Sequence, residues 1–397
     1  MYNLVKGTIK YSMKLDYICR QFTEAGKFEK TDIKIKVLLY MGLYQLLYMN
    51  SVPDHAAINE TVELAKLNMG TSVSGFVNSV LRSYQRNPEV TMPDNPAQRI
   101  AYEYSYPVEL IEEWLKLWGE EKTEKLAMVF NESPKLHIRV NTIATDAAKL
   151  IQYFTKRNFH CTLSPASKNI IVTDNAFEAL DDVAFSEGYY SIQDTSASLV
   201  VELLDPQPGE SVLDLFSAPG GKCTYISERL NNSGEVIAVD KTPNKMKLLK
   251  QAAERLQLTN IKLMVQDAFA YGPVAPAYHR VLVDAPCSGW GVMGRKADLR
   301  WQLHQNIPEI IKLQEKALNY AANFVKTDGY LVYSTCTMNP LENEKQIEQF
   351  LAKNKKFKLV KANTIVPAIY TEDGFIKTVP YIHDMDGAFA AKMIKTK

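Results

Sequence analysis

Residues 211–224 read Ser-Val-Leu-Asp-Leu-Phe-Ser-Ala-Pro-Gly-Gly-Lys-Cys-Thr, which indicates a strand, a glycine turn and a helix start in immediate succession. The short apolar strand ends at Asp214, the chain turns through Pro219-Gly220-Gly221, and a helix begins near Lys222. Glycines let the backbone approach a ligand and adopt positive φ, which a side chain would disfavour. The spacing matches neither Gly-x-Gly-x-x-Gly nor a Walker loop, so a dinucleotide or nucleoside triphosphate is disfavoured.

Acidic residues follow the next two predicted strands. The strand from Glu235 to Val239 is followed by Asp240, placed to accept hydrogen bonds from ribose hydroxyls. The strand from Ile261 to Val265 is followed by Asp267, which can reach an adenine amino group. Any one of these acids could simply cap a strand end. Capping is a weaker explanation for three acids at successive strand ends, Asp214, Asp240 and Asp267. A cofactor with ribose and adenine but no phosphate fits, and S-adenosylmethionine is the candidate.

Two cysteines lie just beyond predicted strands. Cys287 is in Val-Asp-Ala-Pro-Cys-Ser-Gly and Cys336 is in Tyr-Ser-Thr-Cys-Thr. Each follows an apolar run, Arg280 to Val283 and Tyr330 to Tyr333, that indicates a buried parallel strand. Ligands of open α/β sheets bind outside the carboxyl ends of the strands, so we expect both thiols to face one crevice. A lone cysteine is as readily a small buried apolar residue; two beside a glycine loop favour a functional role.

Four motifs in this order resemble those of a known enzyme superfamily. They are Ala-Pro-Gly-Gly-Lys (218–222), Asp-Ala-Pro-Cys-Ser-Gly-Trp-Gly (284–291), Asp298-Leu299-Arg300-Trp301 and Ser-Thr-Cys-Thr-Met-Asn-Pro-Leu-Glu-Asn-Glu (334–344). Residues 191–397 resemble the RNA (cytosine-5) methyltransferases of the Sun/Nol/Nop superfamily, and the whole chain resembles the bacterial Sun-type (RsmB) 16S rRNA methyltransferases. The chain departs from the family pattern at four positions. The family usually has Cys or Ala in place of Phe216, Ala in place of Ser217, Gly in place of Gln266 and Arg in place of Gly294. None of these changes touches the chemistry.

The resemblance implies a covalent mechanism with named residues. Cytosine C5 is a weak nucleophile, and addition of a thiolate to C6 makes C5 enamine-like. By resemblance, Cys336 is that nucleophile, Cys287 assists release, and Asp284 stabilises charge at cytosine N3. Lys222 is expected to position Asp284 or the base, although a simple cation at a helix start remains an alternative. The cofactor residues expected from the motifs and strand ends are Phe216, Ser217, Ala218, Pro219, Gly220, Gly221, Lys222, Asp240, Asp267 and Asp284.

The fold expected for residues 191–397 is a Rossmann-like α/β S-adenosylmethionine methyltransferase domain. It is preceded by an all-α NusB-like domain in residues 1–90, a helical linker in 91–130, and a small RNA-recognition-like α/β subdomain in 131–190. By resemblance, the NusB-like domain lacks a helix that relatives carry before it.

Apolar periodicity predicts helices over Ile33–Met49, His55–Leu67, Ser74–Arg86, Val108–Phe130 and Asp146–Lys156. Short strands are predicted over His137–Val140 and Ile170–Val172. The spacing of Trp114 and Trp118 favours core packing.

The net charge, the cysteine count and the apolar segments limit where the protein can work and which partners it can bind. The net charge of +1 over 397 residues does not indicate a nucleic-acid protein, so RNA binding must rest on local patches such as Arg295-Lys296 with Arg300. Five cysteines, an odd number without paired spacing, indicate a reducing cytoplasm. Neither zinc-ligand spacing nor an apolar secretion core is evident. The apolar run from Val37 to Met49 is short for a membrane span.

The expected partner is 16S rRNA, or an early small-subunit assembly intermediate, bound by a monomer without metal or membrane. Two alternatives stay open from sequence. One keeps the chemistry but acts on tRNA. The other is a non-catalytic RNA-binding factor in ribosome assembly or antitermination, as the NusB-like helices alone would suggest.

Overall fold

The computed structural model describes residues 2–272, 278–302 and 306–397. Their backbone forms two compact units. The first comprises the described residues within Met1–Glu132 and Arg295–His304, and the second those within Ser133–Gly294 and Gln305–Lys397. Within the described residues, no helix is both long and apolar enough to cross a membrane.

The first unit is built of helices. They are α1 (Tyr2–Lys10), α2 (Ser12–Gln21), α3 (Ile33–Tyr48), α4 (Asp54–Met69), α5 (Thr71–Arg86), α6 (Pro96–Tyr104) and α7 (Val108–Val129). Helices α3, α4 and α5 confirm the three that apolar periodicity predicts. The same periodicity does not single out α1 and α2, yet Leu15, Ile18 and Cys19 of α2 are fully buried in the shared core. Their spacing is helical, but α2 is too short for the pattern to repeat.

Helix α7 is interrupted, contrary to the single helix predicted over Val108–Phe130. Gly119 has φ 74° and ψ 177°, which breaks the helix into two segments. The core packing predicted for Trp114 is confirmed, since this side chain is fully buried. Its ring centroid lies 5.7 Å from that of Trp118.

Arg300 belongs to the core of the first unit and not to an RNA-facing patch. Its guanidinium is fully buried. It donates hydrogen bonds to Asn131 Oδ1 at 2.7 Å and to the Phe130 carbonyl at 2.8 Å. It also lies 4.1 Å from the ring centroid of Tyr106. The patch expected from sequence is therefore wrong for Arg300, because a buried guanidinium offers no surface to a phosphate.

The second unit opens with a four-stranded antiparallel sheet in the order β2-β3-β1-β4. Its elements are β1 (Leu136–Val140), α8 (Ala147–Thr155), β2 (Cys161–Leu163), β3 (Ile170–Thr173), α9 (Ala176–Leu180), α10 (Val183–Ser186) and β4 (Tyr190–Ile192). Strands β1 and β3 and helix α8 confirm the elements predicted from sequence in this region. The Asp146 side chain caps α8 by accepting a hydrogen bond from Lys149 N at 2.9 Å.

A nine-stranded mixed sheet forms the rest of the second unit. The elements are α11 (Thr195–Leu204), β5 (Ser211–Leu215), α12 (Gly221–Arg229), β6 (Glu235–Asp240), α13 (Pro243–Arg255), β7 (Ile261–Val265), β8 (Tyr278–Asp284), α14 (Ile307–Ala321), β9 (Val325–Thr335), α15 (Glu344–Lys353), β10 (Phe357–Val360), β11 (Thr371–Glu372), β12 (Phe375–Thr378), α16 (Pro380–His383) and β13 (Ala388–Lys395). The strand order is β11-β12-β13-β9-β8-β5-β6-β7, and β10 also pairs with β13.

The order of the parallel strands places a ligand crevice. From β5 the chain builds outward through β6 and β7 on one side, then returns to add β8 and β9 on the other. Strand order therefore reverses between β5 and β8, and open α/β sheets bind ligands outside the carboxyl ends of the strands at such a point. Leu213, Val281 and Leu331 in β5, β8 and β9 are fully buried, as the apolar runs predict.

Alanine substitutions at two glycines of the helical unit can test the interruption of α7. Gly75 is exposed within α5 and Gly119 has positive φ, and a Cβ at either position would meet nothing within 4 Å. We expect Gly75→Ala to stabilise the protein by about 0.4–1 kcal/mol, because alanine restricts the unfolded chain without straining the helix. Gly119→Ala should destabilise it by about 1 kcal/mol, because alanine disfavours positive φ. Urea unfolding of both full-length variants measures the difference, and equal shifts would contradict the interruption.

Candidate active site

The two predicted cysteines lie together at the carboxyl ends of neighbouring strands. Strands β8 and β9 pair in parallel, with Val283 opposite Tyr333 and Asp284 opposite Ser334. Cys287 and Cys336 follow these strand ends, and their Sγ atoms are 3.3 Å apart. The prediction that both thiols face one crevice agrees with this distance.

Lys222 and Asp284, placed apart in the sequence, form an ion pair beside the thiols. Lys222 Nζ lies 2.8 Å from Asp284 Oδ2. The Ser334 hydroxyl donates a hydrogen bond to Asp284 Oδ1 at 2.8 Å. Burial alone would lower the pKa of Lys222, but the charges of Asp284 and then Cys336 outweigh it and raise that pKa. Lys222 is therefore an ammonium, within electrostatic reach of Cys336.

The environments of the two thiols differ. The hydrogen bond with Cys336 raises the pKa of Cys287 well above its ordinary value, with burial and the negative charges of Cys336 and Glu342 acting in the same direction. Cys287 is thus held as a neutral thiol. The Lys222 ammonium interacts electrostatically with Cys336, and a nearby cation favours the thiolate form of a cysteine.

Glu342 ties the two cysteine loops together and had no role in the sequence analysis beyond its place in a motif. The residue is fully buried. Its Oε2 accepts hydrogen bonds from Ser288 N at 2.9 Å and from Gln314 Nε2 at 3.0 Å. Its Oε1 accepts one from Asn339 Nδ2 at 3.0 Å. Gln314 Nε2 also donates to the Pro286 carbonyl at 2.9 Å, so one carboxylate and one amide brace the backbone on both sides of Cys287.

The glycine loop between β5 and α12 has the conformation that its sequence predicts. Gly220 has φ +108°, and a Cβ there would lie 2.3 Å from Leu249 Cδ1. Glycine is therefore required on two grounds, although the close neighbour is a side chain of α13. Phe216 also has positive φ, 62°, and Ser217 N donates a hydrogen bond to the Val239 carbonyl at 3.1 Å.

Asp240 and Asp267 both make local hydrogen bonds. Asp240 Oδ1 accepts from Thr242 N at 2.8 Å, and Oδ2 accepts from Ala218 N at 3.3 Å. Asp267 Oδ1 accepts from Phe269 N at 2.8 Å. The capping role that sequence left open is thus present at both positions. Carboxylate oxygens have further lone pairs, so the ligand roles of both acids stay predictions.

Asp214 is counted among three acids at strand ends in the sequence analysis but has no ligand role there. It is buried at the end of β5, and neither carboxyl oxygen has a hydrogen-bond partner among the described residues. Burial, with the negative charge of Asp284 added, raises its pKa well above the ordinary value. An apolar run that ends in Asp signals a strand end, but no sequence pattern announces an unpaired buried carboxyl.

The raised pKa of Asp214 predicts a pH-dependent penalty on stability. A folded-state pKa above the unfolded value of about 3.9 means that the folded protein binds more protons, so stability falls as pH rises from there. Asp214→Asn removes this titration. In the absence of ligand, the free energy of unfolding of Asp214→Asn relative to the parent should increase with pH by up to about 1.4 kcal/mol per unit.

Denaturant unfolding between pH 5 and pH 8 measures this difference. Asp94→Asn, the same change at an exposed carboxyl, is the control and should show no such slope. A pH-independent difference for Asp214→Asn would contradict the assignment.

Three family models match successive parts of the chain. The NusB family matches residues 1–86, a ferredoxin-like domain of RsmF/B-like methyltransferases matches 106–179, and the 16S rRNA methyltransferase RsmB/F family matches 201–394. The crystal structure of PH0851 is similar in fold, with TM-score 0.84 and 26% identity over 99% of this chain and 89% of that protein.

Curated relatives match almost the whole chain. A probable ribosomal RNA small subunit methyltransferase B of Bacillus subtilis is 35% identical over 99% of this chain and 89% of the relative. A protein of the same description from Synechocystis sp. is 34% identical over 99% of this chain and 90% of the relative. With its NusB, ferredoxin-like and Rossmann-like parts in this order, the chain belongs to the RsmB/F (Sun) family of RNA methyltransferases.

Proposed function

We propose that this chain transfers a methyl group from S-adenosylmethionine to C5 of a cytosine in 16S rRNA through a covalent bond between Cys336 and C6. The observation that carries the proposal is the thiol pair, with Sγ atoms 3.3 Å apart beside the Lys222–Asp284 ion pair. The curated relatives, described as small subunit rRNA methyltransferases, support 16S rRNA as the substrate.

The residues present fit S-adenosylmethionine, which supplies an electrophilic methyl group when bound. The glycine loop exposes backbone at a strand switch point, and Asp240 and Asp267 bring acceptors for ribose and adenine. Asp214 adds a buried carboxyl with no partner among the described residues, which is complementary to an ammonium group. The loop residues proposed to line the cofactor are Phe216, Ser217, Ala218, Pro219, Gly220 and Gly221.

The first step is addition of the Cys336 thiolate to C6. The new C–S bond pushes electron density through the ring and makes C5 an enamine-like carbon that can take the methyl group. Asp284 protonates N3 as negative charge develops there, with the proton relayed from the Lys222 ammonium bonded to its Oδ2, while Ser334 holds Oδ1. Lys222 also favours the thiolate form of Cys336.

The second step removes the C5 proton and breaks the C6–S bond. Cys287 is held neutral first by its hydrogen bond with Cys336, and also by the charge of Cys336. Both influences vanish once Cys336 is bonded to carbon, so the pKa of Cys287 falls only after attack. Cys287 can then lose its own proton to solvent and, as a thiolate, accept the C5 proton, while the electrons of the C5–H bond form the C5–C6 double bond and expel the Cys336 thiolate.

The geometry of attack constrains the RNA. Paired cytosines are stacked, so C6 reaches a thiol only if the base is unpaired or flipped out. We propose an early small-subunit assembly intermediate as the partner, because its loops are still accessible. Bisulfite sequencing of 16S rRNA and tRNA from cells with and without the gene tests the substrate: loss of a 5-methylcytosine from tRNA alone would exclude 16S rRNA.

The cofactor assignment predicts a selective shift in melting temperature. S-adenosylmethionine or its demethylated product should raise the melting temperature of the full chain, and NAD should leave it unchanged. Asp240→Ala should weaken binding by about 1–3 kcal/mol, the cost of unpaired buried polar partners. Stabilisation by NAD, or none by either S-adenosyl compound, would contradict the assignment.

Replacing each cysteine should block the reaction at a different step. Cys336→Ala should abolish methylation and give no covalent RNA adduct. Cys287→Ala should still attack C6 and transfer the methyl group but stall before release, so its RNA should stay attached in a denaturing gel. This adduct should require S-adenosylmethionine and an intact Cys336, which the double variant Cys287→Ala/Cys336→Ala tests. Adduct in Cys336→Ala instead would exchange the two roles, and adduct in neither would refute release by Cys287.

A further inference from the structure

A buried arginine of the small sheet reaches the first turn of α12. Arg139 of β1 donates from Nε and Nη2 to the two carboxylate oxygens of Glu228, at 3.1 and 2.7 Å. Nη1 donates to the Gly221 carbonyl at 2.7 Å and to Gln193 Oε1, and Nη2 also donates to Thr224 Oγ1 at 3.0 Å. These five hydrogen bonds match the five N–H donors of a guanidinium.

Stability is a poor explanation for this ion pair. The side chains of Arg139 and Glu228 are both 0% exposed. Burial raises the pKa of Glu228 even though Arg139 opposes the shift, because removing a carboxylate from water is costly. Apolar residues of similar volume often stabilise a core as well as a buried ion pair does. The pair instead supplies a fixed geometry, because a planar fork binds its acceptors in one orientation.

The hydrogen bonds of Arg139 fix the backbone where the glycine loop enters α12. Gly221 is the first residue of α12 and Lys222 is the second, and Lys222 Nζ is bonded to Asp284 at 2.8 Å. Thr224 Oγ1, held by Arg139, itself donates to the Gly220 carbonyl at 2.9 Å. The Arg139 guanidinium therefore holds the turn that joins the glycine loop to Lys222, the residue paired with Asp284.

We propose that Arg139 is a positioning residue for cofactor binding. It anchors the first turn of α12 to the small sheet and so holds the glycine loop in its binding geometry before the ligand arrives. Preorganisation of this kind raises affinity by removing the cost of ordering the loop on binding. The inference rests on the proposed function, since it takes S-adenosylmethionine as the ligand of this loop.

The test uses full-length Arg139→Met/Glu228→Leu. Replacing both partners avoids an unpaired buried charge, so this variant should fold, with a melting temperature lowered only modestly because Gln193 Oε1 and the Gly221 carbonyl each lose a donor. The dissociation constant for S-adenosylhomocysteine and the KM for S-adenosylmethionine should each rise about tenfold or more, the usual effect of losing charge-assisted hydrogen bonds. Amide hydrogen exchange of residues 222–224 should become faster.

The chain offers a matched control in Arg280→Met/Glu210→Leu. Arg280 is 5% exposed, and it donates to both carboxylate oxygens of Glu210 and to the Leu204 carbonyl. This pair lies at the amino-terminal end of β8, away from the strand ends that carry the thiols. The control variant should keep the parental KM for S-adenosylmethionine and the parental exchange rates at residues 222–224.

Arg139→Lys is the second variant, in case the double replacement does not fold. Lysine keeps a charge beside Glu228 but lacks the fork that also reaches Gly221 and Thr224, so the KM should still rise. Parental affinity and exchange in either folded Arg139 variant, or equal changes in the Arg280 control, would overturn the proposal. Failure of the parent protein itself to bind S-adenosylhomocysteine would instead refute the proposed function, so the two failures are distinguishable.

Discussion

The parallel register between β8 and β9 is the constraint on which the candidate active site depends. With Asp284 opposite Ser334, the two strands end at the same level, and two cysteines 49 residues apart in sequence come within 3.3 Å. A slip of one residue would turn every side chain of one strand to the other face and would separate the Ser334 hydroxyl from Asp284. The bond from Gly291 N to the Cys336 carbonyl, 3.0 Å long, joins the two loops beyond the strands.

Asp284, Glu342 and Asp214 lie at this edge of the sheet, and their negative charges are compensated in different ways. Asp284 is balanced by the Lys222 ammonium and by the Ser334 hydroxyl. Glu342 is fully buried yet accepts three hydrogen bonds from neutral donors, so its charge is satisfied without a cation. Asp214 has neither, and burial drives it toward the neutral acid. Since an uncompensated buried charge is costly, Asp214 is expected to add no negative charge beside the thiol pair unless a cationic ligand binds.

The features predicted from sequence are those with a local signal. Apolar runs revealed β5, β6, β8 and β9, and the motifs brought Cys287, Cys336, Asp284 and Lys222 to one edge. Features that depend on distant partners had no such signal. Arg139 and Glu228 are 89 residues apart, and Arg300 read as a surface cation because its acceptor Asn131 lies 169 residues away. The break at Gly119 was missed because the apolar spacing continues through it.

The burial of Arg300 also has a consequence for the order in which the protein is made. The Tyr106 ring and the Phe130 carbonyl contact a guanidinium that is polymerised 170 residues after Phe130. When residues 1–132 leave the ribosome, their core still lacks this side chain. These contacts with Arg300 are thus completed only after β5, β6, β7 and β8 have been synthesised. Closing so long a loop is slow compared with forming local helical contacts, so the contacts of Arg300 with Tyr106 and Phe130 are expected to form late in folding.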